Sequence, residues 1–435
     1  MSALRRLALG ASLLGAPALA AAQATGVDTL TLAAMQEAAR QRDPRAEQLP
    51  LLEAQTQLRL RGFAMERRPA LALEGQGQYQ SDVTRFGGGI ALPGGARFPT
   101  PPHDTWDASL RAQQRVVDPT LAPRRAAERA QLEEGRARVR VALYGRRQEV
   151  NDAFFTALLL QTRQAELATL IDDLSAQQRL IETRVREGAA LPGESAALRA
   201  TVLRRQQDLA AVRAERRAAL AVLARLTDRA LAESSVLVAP ATAAPLPSGL
   251  DTVAARPEHA HFRATRERLA RQAAVAAAQE RPRLDAFART GYGKPGLNMV
   301  SDRFDSYWLV GLRVQWAPTT WGAAAREREI LALQERIVRT DEAAFADALQ
   351  RAAARDVETI DRVTAALALD DEIITLRERI EREARARLRE GVLTAAEYVD
   401  RRSDVLEARL ARAAHATELA QARARLTTTL GLEVP

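Results

Sequence analysis

The second half of the chain repeats the first landmark by landmark, and this repeat limits the possible folds more than any single motif does. Pro44, Pro69, Leu71 and Tyr79 return as Pro257, Pro282, Leu284 and Tyr292, all displaced by 213 positions. WDASLRAQQ, from Trp106 to Gln114, returns as WLVGLRVQW, from Trp308 to Trp316, at a displacement of 202. Arg186-Glu187-Gly188 with Glu194 returns as Arg389-Glu390-Gly391 with Glu397, displaced by 203. The displacement drops inside the segment that joins two strand-like stretches, so the first loop is the longer one. Insertions of that kind belong at an exposed hairpin tip. Each half therefore reads as helix, strand, strand, long helix, short helix.

The strand-like stretches have two different faces. In YWLVGLRVQW, Trp308, Val310, Leu312, Val314 and Trp316 alternate with Leu309, Gly311, Arg313 and Gln315, the period of a half-buried strand. Trp308 to Trp316 is nine residues, within the roughly 9–11 that a tilted transmembrane strand needs, and aromatics bracketing an apolar band are the girdle pattern of an outer-membrane barrel. A strand of a soluble sheet with one wet face has the same alternation. LALEGQGQYQ after Pro69 repeats the pattern, with Leu71, Leu73 and Tyr79 opposite Glu74, Gln76 and Gln78. The hairpins are expected over 70–116 and 283–317, joined in the first half by a Gly- and Pro-rich loop.

The helical stretches are very long. Residues 122–187 would span roughly 100 Å as one helix, a length that makes sense only in coiled-coil packing. A second helix is expected from Glu194 to about Asp228, and an earlier one over 44–67, where Pro50 should kink it or shift its start. Laid end to end, these two shorter helices match the long one. Apolar seams step by three and four in Leu209, Val212, Arg216, Ala219, Leu223 and Leu226, in Leu369, Ile373, Leu376 and Ile380, and in Leu406, Leu410, Ala413, Thr417, Ala420 and Ala424. For the helices alone, a plain soluble coiled coil is the favoured reading.

The N-terminus, with Arg5 and Arg6 before an apolar run to Leu19 and small residues after it, reads as a secretory signal over residues 1–24. No later stretch approaches ~18 consecutive apolar residues, so strands would have to carry any membrane insertion. There is no cysteine, which excludes disulfides and thiolate metal sites. The formal charge of +8 comes from arginines interleaved with acids along helices. That is an ion-paired surface, and it lacks the basic stripe of a nucleic-acid binder. No phosphate loop, HExxH or cysteine nucleophile is present, so no enzyme activity, metal or cofactor is expected. His259 and His261, two apart, read as part of a solvated helix start.

The order of domains expected is a first repeat over 25–238, a linker over 239–249 and a second repeat over 250–435. Four strands per chain cannot close a barrel, since the smallest bacterial ones have ~8. An oligomer is therefore required if the strands meet lipid.

At this point the sequence resembles the TolC-type outer-membrane efflux proteins over essentially the whole mature chain. The resemblance rests on Pro44 and Pro257, Pro69 and Pro282, the two strand hairpins, the long helical hairpins and the turn glycines Gly188 and Gly391. It implies an α+β membrane protein: a duplicated long-helix coiled-coil barrel with two β-hairpins per chain, contributing to a trimeric 12-stranded outer-membrane β-barrel. It further implies a homotrimer in outer-membrane lipid, docked to a periplasmic adaptor and through it to an inner-membrane transporter. By position, Glu397 and Asp400 would narrow the periplasmic aperture, with Glu194 as the first-half equivalent. Three copies would converge these acids on an axis and raise their pKa values; as ordinary acids near a helix start they would instead favour the dipole. Arg186, Gly188, Arg389 and Gly391 would form the adaptor-docking tips, the glycines supplying positive φ and close approach. Arg111, Gln113, Arg313 and Gln315 would face the lumen, unless Asp107 or Asp285 neutralises the arginines. Trp106, Trp308, Trp316, Tyr79 and Tyr292 would form the lipid girdle, weakened where Gln114 replaces the closing tryptophan. The competing class is a soluble periplasmic coiled-coil scaffold or adaptor.

Overall fold

The computed structural model describes residues 29–84, 100–241, 256–318 and 321–432. The expected leader, most of the first hairpin loop and most of the expected linker lie outside them. A short strand β1 (Thr29–Thr31) leads into α1 (Leu32–Arg42), and a 3-10 turn at Pro44–Glu47 precedes α2 (Gln48–Met65). The helix expected over 44–67 therefore begins later. Pro50 is its third residue, where the missing N–H has no intrahelical partner in any case, so proline shifts the start and does not kink the helix. Strands β2 (Ala70–Tyr79) and β3 (Asp104–Val117) follow, then α3 (Leu121–Arg186) and α4 (Pro192–Thr227). After β4 (Val236–Val238) the plan recurs as α5 (Pro257–Ala278), β5 (Arg283–Lys294), β6 (Asp305–Gln315), α6 (Ala323–Arg389) and α7 (Ala395–Thr429).

The 66 residues of α3 run roughly 100 Å at ~1.5 Å per residue, and shorter helices line up along them. Near the sheet α2 packs antiparallel on α3, with Arg59 Nη1 3.0 Å from Glu128 and Arg136 Nη2 3.1 Å from Glu53. Further along, α1 docks through Gln36 Nε2, which donates to Asn151 Oδ1 at 2.6 Å in the buried interior. Beyond that, α4 covers α3 to its end. The end-to-end arrangement holds, with α1 and the parallel pair β1–β4 inserted between the two shorter helices. Leu30, Met35, Val150, Phe154, Phe155, Leu223 and Leu237 form the core there.

Two of the expected seams are internal. Leu209, Val212 and Leu223 are buried on α4, and Leu406, Ala420 and Ala424 on α7. Arg216, read as a seam position, is buried too. Its guanidinium donates to the carbonyls of Glu233 and Ser235, both at 2.7 Å, and so clamps the segment leading into β4. The third seam differs from expectation: Leu369, Ile373, Leu376 and Ile380 are all exposed. The face α6 turns toward α7 carries Ala353, Ile360 and Val363 instead. The histidine pair differs as well. His259 and His261 are half-buried, and His259 lies edge-on to Phe345 with Nδ1 3.4 Å from Glu342, so this helix start is packed and not solvated.

Candidate functional site

Strands β2, β3, β5 and β6 form one antiparallel sheet in that order, so the two hairpins join through β3 and β5. The register, Leu73 opposite Leu110, Leu110 opposite Thr290 and Thr290 opposite Trp308, aligns the parity of every strand. One face then collects Leu71, Leu73, Tyr79, Trp106, Leu110, Tyr292, Trp308, Val310, Leu312, Val314 and Trp316, all exposed to solvent in the single chain. The five β6-side residues from Trp308 to Trp316 are between 62% and 71% exposed. Among the described residues no helix covers this face. Four of the five expected girdle residues, Tyr79, Trp106, Tyr292 and Trp308, cluster at the end bearing the hairpin loops, while Trp316 stands alone at the helical end, where its Nε1 donates to the Glu280 carbonyl at 3.1 Å. Gln114, across the sheet, donates to the Arg67 carbonyl at 3.2 Å.

The opposite face is polar and internally paired. Glu74 accepts from Arg111 at 3.0 Å, and Asp107 accepts from Arg289 at 2.5 Å and from the Tyr307 hydroxyl. Neither expected neutraliser therefore serves Arg111: Asp107 is committed to Arg289 and Tyr307, and Asp285 lies 3.9 Å from Arg115. Arg313 makes no ion pair among the described residues and rests on the Phe287 ring, 5.3 Å from its centroid. Gln113 and Gln315 share this face, and Gln315 accepts from Arg283 at 2.6 Å. Two glycines make room for the packing. A Cβ on Gly311 would stand 2.6 Å from Phe287, and one on Gly291 would stand 2.8 Å from Tyr307 and Ser109.

At the far end both helical hairpins turn in the same way. Gly188 (φ +73°) and Gly391 (φ +78°) end α3 and α6 in the left-handed conformation. Ala189 N donates to Arg184 O at 2.8 Å and Val392 N to Arg387 O at 2.9 Å, the closing bond of a Schellman motif. Nothing in the chain itself crowds these glycines, since a Cβ at either would meet nothing within 4 Å. Positive φ is what the turn itself asks of them. Arg186 folds back on its own helix, donating to Thr183 Oγ1 at 2.9 Å, and Arg389 is exposed. Arg184 does the bridging: it donates to the Leu388 carbonyl at 2.8 Å and to that of Arg389, so the first hairpin's guanidinium caps the second hairpin's helix.

The acids after the turn have distinct fates. Glu397 completes a capping box with Thr394, accepting from its N at 3.0 Å and its hydroxyl at 2.8 Å. Within the single chain those hydrogen bonds hold its carboxyl below the usual range. Asp400 is exposed, with no ion pair among the described residues. Glu194 is half-buried at the matching third position of α4.

Sequence reasoning missed the buried polar groups just beyond. Tyr398 is fully buried and donates to Glu381 at 3.0 Å; burial, seconded by the Glu381 charge, pushes its phenol up to about 12. Arg402, 7% exposed, donates Nε to Asp173 at 3.1 Å and so fastens α7 to α3. Along the same helix Arg409 pairs with Glu378 at 2.7 Å and His415 Nδ1 lies 2.6 Å from Asp370. Tyr398 and Arg402, at i and i+4, share a helix face, the one signal that marks them in the sequence.

The architecture has solved relatives. CusC, from work on transmembrane channel formation, superposes with a TM-score of 0.70 at 14% identity, covering 92% of each chain. The chain has the outer-membrane channel fold. The open-state MtrE outer membrane channel of Neisseria gonorrhoeae matches at TM-score 0.66 and 16% identity over 93% of this chain and 89% of its own. VceC, an outer membrane protein of Vibrio cholerae, matches at 0.65 and 15% over 93% and 97%. No protein-family model and no curated protein matches the sequence. In the channel fold the four-stranded sheet and the helical tips lie at opposite ends of the molecule, with α3 and α6 running between them.

Proposed function

We propose that this protein is the outer-membrane exit duct of a tripartite efflux or type I secretion system, a passive conduit whose energy comes from an inner-membrane transporter reached through a periplasmic adaptor. The observation that carries the reading is the sheet itself: one face apolar and uncovered, the other charged and paired, with both edges open. Edge strands of 10 and 11 residues left unpaired are templates for another chain. Lipid suits the apolar face, water the charged one, and closure removes the edges.

Three copies give twelve strands, with β6 of one pairing with β2 of the next. Helix surfaces support the same joint. The helix leading into β2 exposes Leu51, Leu58 and Met65, and the helix leaving β6 exposes Ile330, Leu333 and Ile337 and, further down, the seam from Leu369 to Ile380. Joining the sheet edges would set the α2 stripe beside Ile330, Leu333 and Ile337 and would run α6 along the next copy, where the misplaced seam further down would meet a lower part of that copy. The polar face, with Arg111, Gln113, Arg313 and Gln315, lines the pore. Asp400, which makes no ion pair among the described residues, faces the aperture at the helical end, beside the capping acid Glu397 and its first-half equivalent Glu194. Arg186, Gly188, Arg389 and Gly391 present the adaptor-facing tips. MtrE, of the same fold, is a channel caught in an open state, and a tip fastened by Arg402 and Asp173 is the element to be released here.

The test is fractionation followed by bilayer recording. The full-length protein should resist alkaline carbonate extraction from envelopes, run as a trimer in detergent and conduct ions across planar bilayers. Release as a soluble, non-conducting rod would establish the scaffold reading in its place.

A further inference from the structure

We propose that the helical end of the sheet is an anion-selecting constriction, set by Arg283 and Arg313, so that the cargo admitted there carries negative charge. The inference rests on the duct reading, which makes the polar face the pore wall.

The argument comes from how each arginine of that face is held. Toward the hairpin loops, guanidiniums are cancelled by carboxylates: Arg111 by Glu74 at 3.0 Å and Arg289 by Asp107 at 2.5 Å. On β3, at the rung of Asp285 and Arg313, Arg115 is cancelled likewise, by Asp118 at 3.0 Å. Its neighbours at the helical end of β5 and β6 differ. Arg283 donates Nε to the neutral side chain of Gln315 at 2.6 Å, and Arg313 lies on Phe287. Among the described residues neither makes an ion pair. The register sets Arg283 opposite Gln315 and Asp285 opposite Arg313, so these two rungs of β5 and β6 hold two guanidiniums and one carboxylate. That carboxylate is buried and leans toward Arg115, 3.9 Å away.

The arrangement is built into the strands. Gly311 leaves the space in which the Phe287 ring lies flat across β6, and the ring props Arg313 without neutralising it. Gln315 does the same for Arg283. Beside them a cavity of about 740 Å³ is lined by Arg115, Arg124, Arg281, Arg283 and the carboxylate of Asp118, which pairs with Arg115 and Arg124, whereas Arg281 makes no ion pair among the described residues. In the proposed trimer these two rungs would bring together six guanidiniums that make no ion pair among the described residues, against three Asp285 carboxylates that lean toward Arg115. A ring of fixed positive charge in a narrow, low-dielectric passage raises the local concentration of anions and excludes cations, as charged rings do in other pores. Because arginine stays protonated throughout the accessible range, the selectivity should not change between pH 5 and pH 9, as a filter made of carboxylates or histidines would.

The experiment is the reversal potential of the purified full-length protein in phosphatidylcholine bilayers under a tenfold KCl gradient. Wild-type pores should be severalfold more permeable to chloride than to potassium at both pH values. Arg283→Gln with Arg313→Gln should bring the ratio near one, and Arg283→Lys with Arg313→Lys should keep it. Unchanged trimers in detergent confirm that the variants fold, since both side chains are exposed. Wild-type pores that are cation-selective, or whose selectivity the glutamine pair leaves unmoved, overturn the inference while the duct stands. Absence of any pore overturns the duct reading itself.

Discussion

Replacing Val310 and Val314 by arginine tests whether the uncovered face meets lipid. Both side chains point outward and are 67% and 68% exposed. Leu312 lies midway between Trp308 and Trp316, so it marks the centre of the apolar band. At ~3.3 Å per residue and a strand tilt of 35–45°, Val310 and Val314 sit about 5 Å from that plane. Arginine costs ~2–4 kcal/mol at the midplane and ~0–1 near the interfaces of a band ~25 Å tall. Interpolation gives about 1.5–2.5 kcal/mol for each, hence about 3–5 per chain and roughly 9–15 for a trimer. If the face were wet, two exposed substitutions would cost within ~0.5 kcal/mol each. The assay is the amount of heat-modifiable trimer in carbonate-washed envelopes, compared with a control, Gln113→Arg, that adds charge to the polar face. Normal levels of the double variant would refute the lipid-facing assignment, and with it the pore lining inferred from the opposite parity.

At the helical end two smaller changes are informative. Thr394→Ala removes half the capping box of α7 and should cost ~0.5–2 kcal/mol, read as faster proteolysis after the 387–394 turn; the Glu397 share of that cap should be pH-dependent. Its folded pKa is depressed, so the unfolded state binds more protons, and the stabilisation, present above the unfolded value of ~4.3, is lost as pH falls through the folded one. A tip whose protease sensitivity does not rise on acidification below about pH 4 would count against this. Arg402→Met strands Asp173, and because that carboxylate's side chain is 39% exposed water screens most of the loss, leaving ~1–2 kcal/mol. The expected result is a lower unfolding midpoint together with a larger open fraction in single-channel records; an unchanged open fraction would exclude this pair as the fastening between α7 and α3.

What could be read from the residues divides according to the range of the interaction. Trp308 to Trp316 shows its two faces by period two alone, and Gly188 and Gly391 announce the ends of α3 and α6, because both effects are settled within a few residues. Helix α1 carried a cap at Thr31 but spans only 11 residues, too few to impose a periodic stripe, and it is stable through Met35 against Val150 and Phe154. Arg216 looked like a flaw in a seam since its acceptors, the carbonyls of Glu233 and Ser235, lie in a stretch with no period at all. Arg111 illustrates the middle range. Parity placed it on the polar face, but its partner depended on register: the pairing of Ala72 with Arg111 sets Glu74 diagonally beside it, and nothing in either strand alone says so. Charge identity at a position was legible; charge cancellation was not.

That difference bears on the assembly. Two features of the isolated chain are costly, the open sheet edges at β2 and β6 and the bare stripe from Leu369 to Ile380, and they belong to interactions of different kinds. An edge strand lacks hydrogen-bond partners, while a bare heptad stripe lacks apolar cover. Nothing requires one operation to relieve both. Yet the edge strands are continuous with the helices that bear the stripes, α2 running into β2 and β6 running into α6, so pairing strands between copies fixes which helices meet. Relief of the helices then follows from closure of the sheet. The duplication explains why the geometry would permit this: the contact between the two halves through β3 and β5 already joins a first hairpin to a second, and the proposed contact between copies, through β6 and β2, would join a second hairpin to a first. A barrel built this way would be a ring of similar hairpins, six of them in the proposed trimer, and closing the ring would leave no edge exposed.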